Sequence, residues 1–203
     1  MEFDKKKHWE KVYETKSPNE VSWTQEIPKT SLEFISSIPF DKKTSIIDIG
    51  GGDSKLVDFL LEKGFEDITV LDISEKSLEK AKKRLGNKAD KVNWIVSDIL
   101  EFKPERTYSI WHDRAVFHFI TEDKDVANYI EKVTTAAEKL LVIGTFSEDG
   151  PLKCSGLEIK QYNENSLTAL FQNNFIKKDC KYENHVTPFN TEQNFLFCSF
   201  KKR

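Results

Sequence analysis

An α/β chain built as a three-layer α/β/α sandwich around a mostly parallel sheet is predicted by three features. Strand-like apolar runs alternate with helical patterns from Ser45 to Phe146. The first such run, in "SIIDIGGGDS", ends in an acid and three glycines, at the strand-to-helix turn where open parallel sheets bind ligands. The last two extended runs, "FIKKDCKYENHV" and "NFLFCSFKKR", are joined only by "TPFNTEQ", which makes a hairpin and an antiparallel last strand.

Each element has its own local cause. "TSIIDIG" is a buried strand, and Leu56, Phe59 and Leu60 then recur at helical spacing behind Ser54. "DITVLDI" is the second strand. Ser74 caps the next helix, which gathers Leu78, Ala81 and Leu85 on one face and pairs Glu79 with Lys83. "KVNWIVSDI" and "TYSIWHD" are the third and fourth strands, Val126, Ile130 and Val133 stripe a helix, and "EKLLVIGTF" is the fifth strand. A short helix near Asn165–Gln172 precedes the hairpin. Ahead of the sheet, Trp9, Val12 and Tyr13 share a helix face, "SPNE" turns, Trp23 follows, and a third apolar helix spans Ser31–Ile38.

With 203 residues the chain is expected to form one domain, 1–203, in which residues 1–40 cap a core of 41–203. The balance of 31 basic against 34 acidic residues creates no global field for nucleic acid or an anionic membrane. Three cysteines without a Cys-x-x-Cys pair argue against a disulfide framework and a zinc site. No apolar run reaches the ~20 residues of a membrane span; "MEFDKKKHWEK" lacks the apolar core expected of a secretory signal, and its Glu2, Asp4 and Glu10 argue against a transit peptide. A cytoplasmic setting is the expectation.

The glycine loop discriminates between ligands. A dinucleotide fingerprint needs a third glycine where Lys55 stands, so a dehydrogenase fits poorly. Asp48, just before Gly50, Gly51 and Gly52, would repel a pyrophosphate but suits a cationic amino acid end. Asp72 closes the second strand, where it can accept from ribose hydroxyls, and Asp98 closes the third, facing an exocyclic amine. Three strand-end carboxylates describe a positively charged nucleoside such as S-adenosylmethionine.

On these residues the chain resembles the class I, seven-stranded S-adenosylmethionine-dependent methyltransferases. "DIGGGDS", "VLDIS" and "SDIL" carry the likeness, which implies a Rossmann-like sheet. It also implies a cofactor held by Asp48, Gly50, Gly51, Gly52, Asp72, Ile73, Asp98 and Ile99. "HWEKVYETKSPNEVSW", "SIWHDRAVFHFIT" and "GPLKCSGLEIKQY" are similar to a group of small, mostly bacterial methyltransferases with a W-H-D-R-A-x-F-H-F motif. The Trp–Tyr–Trp segment is also similar to that of protein lysine methyltransferases. That likeness implies that Trp9, Tyr13 and Trp23 close over the methionine end; the alternative is packing of an N-terminal helix. The absence of N-P-P-Y or D-P-P-Y after the fourth strand disfavours nucleobase methylation.

Methyl transfer asks the protein to align a nucleophile, exclude water and, for a protonated acceptor, supply a base. His112 and Asp113, after the fourth strand, are the candidates. Alternatively His112 contacts only the cofactor and Asp113 caps the next helix. Arg114 is a fixed cation for a substrate carboxylate or for a structural pair, and Cys154 and Ser155 lie in a loop expected near the substrate. The function expected is methyl transfer to a small molecule, with protein lysine methylation second and a non-catalytic S-adenosylmethionine-binding module third.

Overall fold

A computed structural model describes residues 3–203. Seven strands form one sheet, β1 (Ile46–Ile49), β2 (Ile68–Asp72), β3 (Val92–Val96), β4 (Tyr108–Arg114), β5 (Ala137–Phe146), β8 (Phe175–Val186) and β9 (Glu192–Lys202), in the order β3-β2-β1-β4-β5-β9-β8. The first five are parallel, and β9 is antiparallel to both β5 and β8. A two-residue ribbon, β6 (Lys153–Cys154) with β7 (Leu157–Glu158), stands apart.

The helices cover both faces because the central strands β1, β2, β4 and β5 are buried on both. Against one face pack α2 (Lys29–Ile35), α3 (Leu56–Glu62) and α4 (Glu75–Leu85), through Phe34, Leu56, Leu60 and Leu78. Against the other pack α5 (Asp123–Ala136) and α6 (Glu164–Phe171), through Tyr129, Val133, Leu167 and Phe171. Trp111 is fully buried in that second layer, its indole N–H donating to the Tyr129 hydroxyl at 3.2 Å. The sandwich and its antiparallel end therefore match the fold class expected above. Helix α2 is shorter than the Ser31–Ile38 stripe implied, because Ile38 precedes Pro39 and is pushed out of helical geometry.

The N-terminal helix α1 (Lys5–Thr15) starts at Asp4, whose carboxylate accepts from Lys7 N at 2.9 Å. It lies along α4. Glu14 pairs with Lys76 at 2.7 Å, and Lys80 Nζ donates to the Lys16 carbonyl at 2.8 Å.

One expectation is corrected. Cys180 and Cys198 form a disulfide across the β8–β9 hairpin, whose register sets them opposite each other. The pairing is invisible in the cysteine spacing, since strand register alone brings the two thiols together. Cys154 is free and buried. Among the described residues no helix is long and apolar enough to cross a membrane.

Candidate active site

At the carboxyl ends of β1 to β4 the structure holds a cavity of about 800 Å³, within the usual range for a small-molecule site. Asp48, Asp72 and Asp98, from the ends of three neighbouring strands, all line it. So do Gly50 and Gly51, together with Ile73 and Ile99.

The loop is built for close approach. Gly50 has φ 65° and Gly52 φ 41°, both in the left-handed region that glycine tolerates. A Cβ on Gly51 would lie 2.6 Å from Asp48 Oδ2 and 2.7 Å from Val70 Cγ1. A Cβ on Gly52 would lie 2.8 Å from Asp72 Oδ2, so this residue backs the wall instead of lining it. Three glycines are thus needed, two for conformation and one for space alone.

Asp72 is almost wholly buried and accepts from Ser74 N at 2.8 Å. Burial pushes its carboxyl up to about 7, with Asp48 and Glu10 adding repulsion against the Ser74 and Ser77 hydrogen bonds. Asp98 accepts from Leu100 N at 2.9 Å, which turns the chain after β3 beneath Ile99.

His112 sits beside Asp48 in the β1–β4 register. Its Nδ1 lies 2.7 Å from Asp48 Oδ1 and its Nε2 lies 2.9 Å from Ser31 Oγ on α2. A carboxylate only accepts, so Nδ1 carries the proton; Nε2 then accepts from the Ser31 hydroxyl. Ser31 also lines the cavity, and nothing in its local sequence marked it.

Of the two roles weighed for Asp113, the geometry fits the capping one and not the catalytic one. As the next residue in β4 it points to the opposite face of the sheet, away from the cavity. There it accepts from the Tyr129 hydroxyl at 2.6 Å and from Val116 N and Phe117 N at 3.2 Å each. Burial raises its carboxyl to about 6 against these bonds. It caps the turn Phe117–Phe119 and has no reach to a substrate.

Arg114, two residues beyond His112, returns to the cavity side. Its Nη1 donates to the Trp23 carbonyl at 3.0 Å, and its guanidinium stands 5.0 Å over the Phe195 ring. Burial lowers it to about 10, although Glu183, Asp48 and Cys154 oppose this. Cys154 lines the cavity too, and burial raises its thiol to about 11, which keeps it protonated and unreactive. Ser155 does not join it: with φ 51° it forms the turn between β6 and β7. His118 is buried with both nitrogens unpartnered and stacks on Phe146 at 4.2 Å.

Trp9, Tyr13 and Trp23 form one aromatic cluster over the opening, with Trp9–Trp23 centroids 5.6 Å apart and Tyr13–Trp23 6.2 Å apart. All three line the cavity. Two devices hold this segment down. Glu10 accepts from Ser74 Oγ at 2.9 Å, Glu75 N at 2.8 Å and Lys76 N at 3.2 Å, so a carboxylate from α1 caps α4. The Ser22–Gln25 stretch is pinned by His185 Nε2 on the Ser22 carbonyl at 2.7 Å and by Gln25 on Glu183 at 2.9 Å.

Comparison with known proteins agrees with this geometry. A family model described as a methyltransferase domain matches residues 46–139. The mouse eEF1A lysine and N-terminal methyltransferase is 24% identical over 70% of this chain, and malonyl-[acyl-carrier protein] O-methyltransferase 2 of Ilyobacter polytropus is 27% identical over 52%. The chain spans only 21% and 40% of those two proteins. The N-methyltransferase NodS of Bradyrhizobium japonicum, in complex with S-adenosylhomocysteine, superposes with a TM-score of 0.71 at 12% identity, covering 98% of this chain and 99% of that one. A S-adenosylmethionine-dependent methyltransferase of Anabaena variabilis superposes with a TM-score of 0.74 at 14% identity, covering 100% and 96%. Residues 46–139 thus match a methyltransferase domain, and the whole chain shares its fold with S-adenosylmethionine-dependent methyltransferases.

Proposed function

We propose that this chain transfers the methyl group of S-adenosylmethionine to a small-molecule acceptor. The observation that carries this reading is the cavity that three strand-end carboxylates and the aromatic cluster line together, with the aromatic segment held in place by Glu10 and Arg114.

In this reading Asp48 with Gly50 and Gly51 holds the amino acid end, Asp72 the ribose hydroxyls, and Asp98 with Ile73 and Ile99 the adenine. Trp9, Tyr13 and Trp23 cover the methionine end, residues 1–40 serving as the cap of a single domain. When bound, the cofactor supplies a methyl group already activated by sulfonium charge. The protein therefore has to align the acceptor, exclude water and take a proton where the acceptor carries one. His112 Nε2 receives that proton once Ser31 yields its hydrogen bond, and Asp48 holds the Nδ1 proton and stabilises the resulting imidazolium. Asp113 takes no part.

A second reading, methylation of a protein lysine, is favoured by the aromatic cluster and by the likeness to the mouse lysine methyltransferase. The test is incubation with methyl-labelled S-adenosylmethionine and either a deproteinated metabolite extract or a protein extract. Label in the small-molecule fraction is expected. Label confined to protein supports the lysine reading, and label in neither leaves a cofactor-binding module.

A further inference from the structure

Arg114 carries an unused recognition edge. Of its three guanidinium nitrogens, Nη1 is occupied by the Trp23 carbonyl at 3.0 Å, while Nε and Nη2 are buried without any partner. These two share one side of the guanidinium, so their N–H bonds point the same way as a parallel pair. Among the described residues no carboxylate forms an ion pair with this group. Two donors of a cation buried without partners are costly unless something pairs with them. Arg114 is half-buried and lines the cavity two positions beyond His112 on the same side of β4, so a carboxylate reaches the fork by parting the side chains packed over Nε and Nη2.

We propose, resting on the function above, that the acceptor is a carboxylic acid with an apolar, ring-bearing body, anchored by the Nε–Nη2 edge of Arg114. The fork geometry matches the two oxygens of a carboxylate. The neighbouring His118 and His185 add no second cation, since burial and Arg114 itself hold both low. The surroundings suit an aromatic body, because Trp23, Phe119, Phe146 and Phe195 line the same cavity. Trp23 is fixed by the bond that occupies Nη1, so one arginine sets both the anchor and part of the wall.

The test uses protein with 15N-labelled arginine, titrated with phenylacetate, its neutral amide and phenyl phosphate, with and without S-adenosylhomocysteine. Phenylacetate is expected to shift the Arg114 Nε–H resonance downfield and to saturate, whereas phenylacetamide leaves it in place and phenyl phosphate binds more weakly. Arg114→Lys and Arg114→Gln are expected to weaken phenylacetate at least tenfold and S-adenosylhomocysteine by a smaller factor, the latter through the lost bond to Trp23. Equal binding of acid and amide, or an unmoved resonance, overturns the proposal. Tighter binding of the phosphate overturns the carboxylate class. Variants that loosen S-adenosylhomocysteine tenfold and leave phenylacetate alone assign the fork to the cofactor's own carboxylate, which also overturns it. The wild-type resonance decides the matter even where a variant fails to fold. Failure of S-adenosylhomocysteine to bind the wild type defeats the proposed function, and the titration of the free chain still decides the anchor.

Discussion

Asp48 Oδ1 and His112 Nδ1 meet at 2.7 Å across the β1–β4 register, both side chains almost fully buried. The contact fixes the imidazole tautomer and leaves Nε2 as the acceptor that Ser31 occupies. Asp48→Asn keeps the shape but not the acceptor-only character. The substitution is expected to lower kcat about 100-fold for an acceptor that must lose a proton. His112→Ala should cost a similar factor, and the double variant should cost little more than either single one. Additive losses in single-turnover assays would show that the two act separately.

Asp72 gives a prediction of opposite sign for stability and binding. Its carboxyl is raised from 3.8 to about 7 by burial, so between those values the folded state holds a proton that the unfolded state has lost. Stability conferred through this group is therefore full below pH 3.8 and falls as pH rises to about 7. Asp72→Asn removes the buried charge. It is expected to raise the melting temperature of the free protein at pH 8 by several degrees and to leave it unchanged near pH 3.5, while weakening S-adenosylhomocysteine at least tenfold. Thermal melts at the two pH values check this, and a lower melt at pH 8 would contradict it.

How much of this was legible beforehand depends on how local each cause is. Strand and helix order could be read from Ile46 to Phe146 because the apolar periods and the Ser74 cap are local. The Asp48–His112 pair was not legible, because it joins residues 64 apart through a strand pairing that no spacing encodes. The choice between the two roles of Asp113 needed the strand's facing: adjacent residues of a strand face opposite layers, so only one of His112 and Asp113 can look into the cavity, and Asp113 takes the capping role. Ser31, Glu10 and the Cys180–Cys198 disulfide were missed because each depends on contacts between distant elements.

Glu10 is a carboxylate of α1 that caps α4. Glu10→Ala should cost about 1 kcal/mol, the usual worth of a helix cap. It should also speed proteolysis and amide exchange within residues 5–15 more than elsewhere. Glu10→Gln should recover part of the protection, because its amide oxygen still accepts. Uniform exchange changes across the chain would refute the latch.

Gly51 leaves no room for a methyl group. Gly51→Ala would set a Cβ 2.6 Å from Asp48 Oδ2 and 2.7 Å from Val70 Cγ1. A loss of about 1–3 kcal/mol in stability is expected from the overpacking, with cofactor binding lost through the displaced Asp48. Gly64→Ala provides the contrast, since nothing lies within 4 Å of its added carbon and the only cost is its positive φ. Denaturant titration with a cofactor-binding assay separates the two.

The central claim is that this cavity holds S-adenosylmethionine through its strand-end carboxylates. Calorimetry tests it most directly, with S-adenosylhomocysteine titrated into the wild type and into Asp72→Ala, and NAD titrated as the rival ligand. The account requires a Kd of about 10 µM or tighter, a loss of at least tenfold in the variant, and no heat from NAD. Binding of NAD, or an unchanged affinity in Asp72→Ala, would contradict it.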